Sequence, residues 1–206
     1  MNGTVDVERG TDGLRLTSSL RSGVTAYVDA DWISDSSSSA AALVLPASGD
    51  EADRIAGRAL IAVALRVVEA LAGVAPERIE VTGSGFVAGA VRRLLGTAQP
   101  APGADGRPAA VVETTGDPER VLAATRRLED MGVLVLAGEP ADRLLRLDLY
   151  SDVHLRGLQV VGVPPARPDV LPSDLGATAA DYLDAERPAV LRAGEPLPRS
   201  SWYRLS

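Results

Sequence analysis

The stretch that decides the fold of this chain is Arg78-Ile-Glu-Val-Thr-Gly-Ser-Gly-Phe-Val-Ala-Gly-Ala-Val-Arg-Arg-Leu-Leu95. Ile79 and Val81 are apolar and β-branched, which favours a short buried strand. Glycines follow, and from Phe86 onward apolar residues recur at helical spacing. The stretch therefore predicts a strand, a tight turn and a helix.

The turn fits the pattern G-x-G-x-x-G/A of dinucleotide-binding units through Gly83, Gly85 and Ala88. In that pattern the first glycine makes the turn and the second lets the backbone approach a pyrophosphate, while a small third residue allows the helix to pack on the strand. Free N–H groups at the start of the helix would then face the anion. A turn that joins a strand to a helix and binds nothing fits the same residues, so both interpretations stay open.

Length and charge limit the class of protein. The 206 residues are enough for one domain with a real core. A net charge of −7 argues against nucleic acid or an anionic membrane as partner. The N-terminus has neither the basic nor the apolar segment of an export signal, and the apolar run 59–65 is too short to span a bilayer. We therefore expect a cytoplasmic protein with no nucleic-acid or membrane partner.

Several kinds of chemistry are excluded by residues that the chain lacks. All 21 basic residues are arginine, so no lysine can form a Schiff base or a P-loop contact. There is no cysteine, which removes thiolate chemistry, iron–sulfur clusters and cysteine-based zinc sites. His154 is the only histidine, so a multi-histidine metal site is excluded as well. We expect no metal.

Strands alternate with helices along the rest of the chain, which predicts an α/β fold. We expect a reduced Rossmann-like parallel sheet flanked by helices, with a short N-terminal β segment. The predicted strands of that segment lie around Val5 and Val7, around Leu14 and Leu16, and at 24–28; those of the parallel sheet lie at 79–81, 109–116, 133–138 and 158–163. The predicted helices lie at 51–71, 86–95, 117–132 and 173–182, with loops at 34–39 and 97–108. The predicted division is an N-terminal β segment at 1–45, a Rossmann-like domain at 46–165 and a tail with a short helix at 166–206.

The order of these features resembles the medium-chain dehydrogenase/reductase family, the zinc alcohol dehydrogenase superfamily. The segments that carry the resemblance are Gly23-Val24-Thr25-Ala26-Tyr27-Val28, Val81-Thr82-Gly83-Ser84-Gly85, Val112-Glu113-Thr114-Thr115-Gly116, Val135-Leu136-Ala137-Gly138 and the run 148–162. In that family the strand that corresponds to 112–116 ends beside the nicotinamide of the cofactor, so the resemblance implies NAD(P)(H). The residues that it implies for cofactor binding are Gly83, Ser84, Gly85, Phe86, Val87, Thr115, Gly116, Ala137 and Gly138.

The chain also departs from the family pattern. Most of the family's N-terminal catalytic domain is absent, and without cysteine no Cys–His zinc site can form. The loop 97–108 stands where the family has a strand, a helix and a further strand, and the first of these normally ends in the acid that binds the adenosine ribose. Asp105 and Arg107 could take the place of that acid from the loop, but we do not expect them to. The resemblance is therefore to a truncated and degenerate member.

Two pairs of polar residues are weaker candidates for catalysis. Asp152 and His154 would share one face of a strand, either as a proton relay or as a surface pair. Tyr27 and Tyr150 could donate a proton to a carbonyl, although packing or hydrogen-bonding roles suit them better in a chain without lysine. We favour the structural interpretation for both pairs.

Glu113 and the residues 114–116 are the better candidates for contact with a ligand. They lie at the carboxyl end of a predicted parallel strand, where open α/β sheets bind their ligands. The arginine pairs 92–93 and 126–127 are expected to lie on exposed helix faces.

The segment Leu158-Gln-Val-Val-Gly-Val163 is predicted to form an edge strand. The corresponding strand of the family pairs with its twin across a two-fold axis, and an apolar edge left unpaired invites aggregation. We therefore predict a homodimer, or pairing with a full-length relative, through this strand.

Two functions follow from the sequence. One is a zinc-independent NAD(P)(H)-dependent oxidoreductase acting on a carbonyl or an enone, since a bound cofactor carries most of the chemistry of hydride transfer. The other is a degenerate dehydrogenase-like protein of a biosynthetic pathway, without ordinary zinc-dependent dehydrogenase activity, that acts as a partner, a small-molecule binder or a redox-neutral catalyst. The second is slightly favoured, because the losses fall on catalytic and adenosine-binding parts while the core pattern is intact.

Overall fold

A computed structural model describes residues 2–11, 13–17, 24–33, 39–46, 49–97, 106–139, 146–192 and 195–205. The strands are β1 (Asn2–Gly10), β2 (Gly13–Thr17), β3 (Thr25–Asp29), β4 (Ser39–Leu45), β5 (Ile79–Val81), β6 (Ala110–Glu113), β7 (Val133–Leu136), β8 (Gln159–Gly162), β9 (Ala189–Leu191) and β10 (Trp202–Leu205). The α-helices are α1 (Gly49–Ala70), α2 (Phe86–Leu95), α3 (Pro118–Arg127) and α4 (Gly176–Ala185). Two 3₁₀ turns, Ala30–Trp32 and Pro76–Arg78, and a π-helical turn, Leu149–His154, complete the described elements.

The strands β5, β6, β7 and β8 form a parallel sheet in that order. Ile79 of β5 pairs with Ala110 of β6, and Leu136 of β7 pairs with Gly162 of β8. Parallel neighbours require connections that return the chain to the same end of the sheet, and α2 and α3 lie in the connections that follow β5 and β6. The α/β prediction is confirmed.

A second sheet has the order β2-β1-β4-β3-β10-β9, and all its neighbours are antiparallel except β9 and β10. The sequence did not predict β9 and β10, which are only three and four residues long. They form because β10 pairs with the edge of β3, Trp202 opposite Asp29 and Leu205 opposite Ala26. The predicted tail at 166–206 therefore completes the N-terminal sheet, while the division of the chain at residues 45 and 165 stays a prediction.

The helices lie close to their predicted positions. The long helix α1 is buried on most of its faces, as expected for a helix with apolar residues all round. Asp117 caps α3 by accepting the N–H groups of Glu119 (2.9 Å) and Arg120 (3.2 Å), and Pro118 takes the first helical position. That helix ends at Arg127, earlier than predicted.

Four aromatic side chains join the two sheets: Tyr27, Phe86, Tyr182 and Trp202. The ring of Phe86 lies 4.8 Å from that of Trp202 and 5.1 Å from that of Tyr182, and Tyr27 lies 5.8 Å from Trp202. Such pairs contribute about 0.5–1.5 kcal/mol each beyond their burial. The cluster holds the end of the N-terminal sheet against the start of α2, which sets the geometry of the glycine turn.

The prediction that Asp152 and His154 share a strand face is wrong. Asp152 and His154 lie in the π-helical turn and not on a strand, because the Asp148 side chain accepts the N–H groups of Tyr150 (2.9 Å) and Ser151 (3.2 Å) and starts the turn. They therefore do not share a strand face, and the ring of His154 packs on Tyr150 at 5.4 Å.

Arg92 is half-buried and donates hydrogen bonds to the carbonyl oxygens of Val81 (2.7 Å) and Gly83 (2.6 Å), so it is not the freely solvated residue that was expected. Gly23, Asp105 and most of the loop 34–39 lie outside the described residues. Within the described part of the chain, no helix has both the length and the apolar character needed to cross a bilayer.

Candidate functional site

The glycine turn joins β5 to α2 at the carboxyl end of the parallel sheet. Gly83 has a φ of +88°, in the left-handed region that glycine adopts without steric cost. Gly85 is the N-cap of α2 and has no side chain to accept a hydrogen bond. The first N–H groups of α2 must therefore find acceptors elsewhere in the chain.

Asp29 and Asp31 supply those acceptors. Asp29 Oδ2 accepts the N–H of Val87 at 2.9 Å, and Asp31 Oδ1 accepts the N–H of Ser84 at 2.7 Å. Asp29 Oδ1 also accepts the N–H of Asp31 at 2.9 Å, which fixes the two carboxylates relative to each other. The start of α2 is thus capped by carboxylates from the end of β3 and the 3₁₀ turn that follows it.

The two carboxylates fit against the turn only because Gly83 and Gly85 have no side chain. A Cβ at Gly85 would lie 1.7 Å from Asp29 Oδ1, and a Cβ at Gly83 would lie 2.1 Å from Asp31 Oδ2. Both distances are far below van der Waals contact. The close approach that a glycine turn offers to a pyrophosphate is here made by two side chains of the protein.

Thr114 and Ser201 make further hydrogen bonds around the glycine turn. The Thr114 hydroxyl, at the end of β6, donates to Asp31 Oδ2 at 2.6 Å. The N–H of Phe86 donates to the carbonyl oxygen of Ser201 at 3.0 Å, just before β10. Asp31 and Thr114 are both buried. The turn is therefore covered by the N-terminal sheet on one side and by the next parallel strand on the other.

A third carboxylate, that of Glu113, holds the neighbouring turn. Glu113 is fully buried, and its two oxygens accept the N–H groups of Thr115 and Gly116, each at 2.9 Å. Its carbonyl oxygen accepts the N–H groups of Ala137 (2.8 Å) and Gly138 (3.1 Å) at the end of β7. Glu113 was predicted as a ligand contact, and in the structure it fixes the ends of two adjacent strands.

The structure brings the nine residues implied for cofactor binding to one edge of the sheet. Gly138 approaches Gly116 so closely that a Cβ on Gly138 would lie 2.1 Å from the Gly116 nitrogen. Most of the nine donate their backbone N–H to acceptors of the chain itself: Ser84, Phe86, Val87, Thr115, Gly116, Ala137 and Gly138. They are a hydrogen-bonded cluster with little free donor capacity.

Burial raises the pKa of Asp29 above its ordinary value. Complete removal from water is the largest cause and the neighbouring Asp31 carboxylate the next, while backbone N–H groups, that of Val87 foremost, act in the opposite direction.

Neither the dinucleotide nor the zinc of the family that the sequence resembles fits the residues present. A pyrophosphate needs free N–H groups at the start of the helix, and here the N–H groups of Ser84 and Val87 are already bonded to Asp31 and Asp29. Zinc has no cysteine to bind, and His154 lies in an exposed turn against Tyr150. Among the described residues, no three His, Asp or Glu side chains converge in a way that could hold a metal ion.

Sequence analysis missed Asp29, Asp31 and Ser201. The one local indication was a pair of acids, two residues apart, directly after the predicted strand at 24–28. Nothing near them in the sequence shows that this strand ends on the glycine turn, because the hydrogen-bonded residues Asp29 and Val87 are 58 positions apart in the chain.

No protein-family model and no curated protein matches the chain. Among solved structures, it is similar to L-idonate 5-dehydrogenase from Escherichia coli K-12, with a TM-score of 0.54 and 10% identity over 100% of this chain and 99% of that one. It is also similar to a protein described as the short chain alcohol dehydrogenase rspB from E. coli CFT073, complexed with NADH, with a TM-score of 0.53 and 9% identity over 84% of this chain and 66% of that one. For benzyl alcohol dehydrogenase from Acinetobacter calcoaceticus the TM-score is 0.50 and the identity 15%, over 82% of this chain and 62% of that one.

At these identities the likeness concerns the fold, and the chain spans about two thirds of the length of the last two proteins. It agrees with the sequence resemblance, which rests on the order of strands and turns around the glycine pattern. The chain therefore shares an α/β fold with these dehydrogenases.

Proposed function

We propose that this chain is a degenerate dehydrogenase-like protein that acts as a partner subunit and has no ordinary dehydrogenase activity. The observation that carries this proposal is the occupation of the glycine turn by the carboxylates of Asp29 and Asp31. Hydride transfer requires a cofactor held in place by its phosphates and rings. A protein whose own side chains take the phosphate-binding N–H groups cannot hold the cofactor in that way.

A dinucleotide that displaced the two carboxylates would gain little binding free energy. The N–H groups of Ser84 and Val87 would each exchange an oxygen of Asp31 or Asp29 for an oxygen of the phosphate, so no hydrogen bond would be gained. The displaced Asp29 and Asp31 would also have to leave a buried site. Binding therefore has to break existing contacts without making better ones.

The surface that suits a partner is the edge formed by β8. In the parallel sheet β8 pairs with β7 and lies at the end of the strand order. Val160 on β8 is 42% exposed, and Leu149, Tyr150 and Leu155 are exposed in the turn that precedes it. An edge strand beside exposed apolar side chains is a ready template for pairing. A second copy of the chain, or a full-length relative, could extend the sheet there.

Calorimetric titration with NADH and with NADPH tests the loss of cofactor binding. We expect no binding tighter than about 100 μM, which corresponds to about −5.5 kcal/mol. An NADH-binding dehydrogenase titrated in the same buffer is the positive control. Tighter binding would contradict the proposal and would favour a zinc-independent NAD(P)(H)-dependent oxidoreductase, for which carbonyl and enone substrates should then be screened.

Sedimentation at micromolar concentration tests the partner surface. We expect a dimer for the wild type and a monomer for Val160→Lys, because a lysine at the edge opposes strand pairing. The matched control is Val190→Lys, since Val190 is 55% exposed on β9 of the other sheet and should leave the dimer intact. A monomeric wild type would exclude the homodimer, and co-purification with a full-length relative would then test the other partner.

A further inference from the structure

A cleft lies between the first half of α1 and the end of α4. It has a volume of about 540 Å³, within the range of about 300–1,000 Å³ that is usual for small-molecule sites. No residue of the glycine turn lines it. We propose that this cleft binds a small carboxylic acid with an apolar body. The inference concerns a second site and does not depend on the partner function proposed above.

The packing of α4 on α1 gives the cleft its apolar part. Gly57 lets the two helices approach, because a Cβ at this position would lie 2.2 Å from Leu183 Cδ1 and 3.5 Å from the end of the Trp202 ring. Leu183 and Trp202 both line the cleft, together with Leu175 and Pro188. These side chains offer apolar surface to the hydrocarbon part of a ligand.

Arginine side chains supply hydrogen-bond donors to the same cleft. Arg54 and Arg58 lie one turn apart on α1 and so share a face of that helix, and Arg187 follows the end of α4. Arg58 is half-buried and donates from one nitrogen to the carbonyl oxygen of Pro172. Within the described part of the chain, Arg54 and Arg187 make no hydrogen bond or ion pair. Because a guanidinium has five N–H donors in a planar fork that fits a carboxylate, most of the donor capacity around the cleft is unused.

Carboxylates also line the cleft, and the more buried of them are already bonded to the chain. Asp53 is 9% exposed, and its two oxygens accept the hydroxyl of Tyr27 and the guanidinium of Arg204, each at 2.6 Å. Glu186 is half-buried and accepts the hydroxyl of Ser201 at 2.8 Å. The inner carboxylates therefore have less capacity left for a ligand than the arginines have.

The charges around the cleft balance, which limits the ligand to a small net charge. Among the described residues, three arginines and four carboxylates line it, and Arg204 offsets the charge of Asp53 through their ion pair. The remaining acids, Asp50 and Asp184, are exposed and keep their hydration. A single negative charge thus meets no net repulsion and finds unused donors, whereas a cation would have to compete with water for exposed carboxylates.

Calorimetric titration of the full chain with 4-phenylbutyrate tests the proposal. The matched probes are 4-phenylbutyramide, which is neutral, and 4-phenylbutylamine, which is a cation of similar shape. We expect the acid to bind with a Kd below about 1 mM. It should bind at least about tenfold more tightly than either matched probe, because only the acid brings a charged acceptor to the arginines.

Two variants locate the binding. Arg54→Gln and Arg58→Gln should each raise the Kd of the acid by at least about fivefold, since each removes a charged donor. The matched control is Arg126→Gln, which removes the same charge from an exposed position on α3 and should leave the Kd unchanged. If Arg58→Gln does not fold, Arg54→Gln decides, because Arg54 is exposed and bonded to no other described residue.

Three results would overturn the proposal: no saturable binding of the acid, binding of the amine as tight as that of the acid, or an unchanged Kd in Arg54→Gln. The titration contains no dinucleotide and uses a cleft that the glycine turn does not line. Its failure would therefore leave the proposed function untouched, and binding of NADH would not by itself support the carboxylate site.

Discussion

Replacement of Gly85 by alanine distinguishes a glycine that serves a bound cofactor from a glycine that serves the fold. The φ of Gly85 is −73°, a value that alanine adopts freely. If the turn had open space around it, Gly85→Ala would stabilise the apo protein by about 0.4–1 kcal/mol through the unfolded chain. In the structure the new Cβ would lie 1.7 Å from Asp29 Oδ1 and 2.9 Å from the Asp31 carboxyl carbon, so we expect the opposite sign.

The magnitude depends on how the site responds to the new methyl group. If Asp29 stays in place, overpacking of the filled site costs about 1–3 kcal/mol. If Asp29 moves away to relieve the clash, the buried N–H of Val87 loses its acceptor, which also costs about 1–3 kcal/mol. In either case we expect Gly85→Ala to lower the free energy of unfolding by about 1–3 kcal/mol. For a domain of this size that corresponds to a decrease in Tm of roughly 2–12 °C.

Thermal and urea unfolding of four proteins measures this effect: wild type, Gly85→Ala, Asp29→Ala and the double variant. Once Asp29 is shortened, the methyl group at Gly85 has room, so the double variant should be more stable than the sum of the single effects predicts, by at least about 1 kcal/mol. Gly162→Ala is the control, because no atom lies within 4 Å of its Cβ position. A Gly85→Ala protein as stable as the wild type, or strictly additive effects, would refute the assignment of this glycine to the internal carboxylates.

Three further variants test other parts of the structure by urea unfolding. Arg204→Met should lower the free energy of unfolding by about 3–5 kcal/mol, because it leaves the Asp53 carboxylate, largely buried, without the ion pair that it makes at 2.6 Å; a loss below 1 kcal/mol would contradict this. Tyr27→Phe should cost about 1 kcal/mol, since the hydroxyl donates to the same carboxylate at 2.6 Å, and an unchanged stability would argue against that bond. Gly138→Ala should be the most damaging of the three, because its Cβ would lie 2.1 Å from the backbone nitrogen of Gly116, which cannot rotate away; near-native stability would show that the two strand ends lie farther apart.

The parallel sheet could be predicted because its strands carry their own local features. Ile79 and Val81 precede the glycine turn, and Asp117 and Pro118 mark the start of α3. The strands β9 and β10 could not be predicted in this way. A strand of four residues such as β10 is formed by its pairing with β3, and that pairing depends on contacts between residues more than 170 positions apart, Trp202 with Asp29 among them.

In the candidate site, too, some features could be predicted from the local sequence and others depended on the tertiary structure. The position of the glycine turn, its strand and its helix followed from the residues between 78 and 95. The groups that occupy the turn did not, because Asp29 and Asp31 reach it only when the N-terminal sheet folds onto α2. The role of Glu113 also depended on the structure, since a carboxylate at a strand end can face a ligand or, as here, the next turn of its own chain.

By itself, the sequence determined which chemistry is excluded and where the helix N-terminus lies. A chain without cysteine or lysine has no thiolate and no Schiff base whatever its fold, and a glycine turn before an amphipathic helix leaves donors at the helix start in any context. Only the tertiary structure decided which anion meets those donors. The N–H groups and the positive end of the helix dipole attract a carboxylate as they attract a phosphate, so the local sequence is the same for both, and the distant segment that folds against it makes the difference.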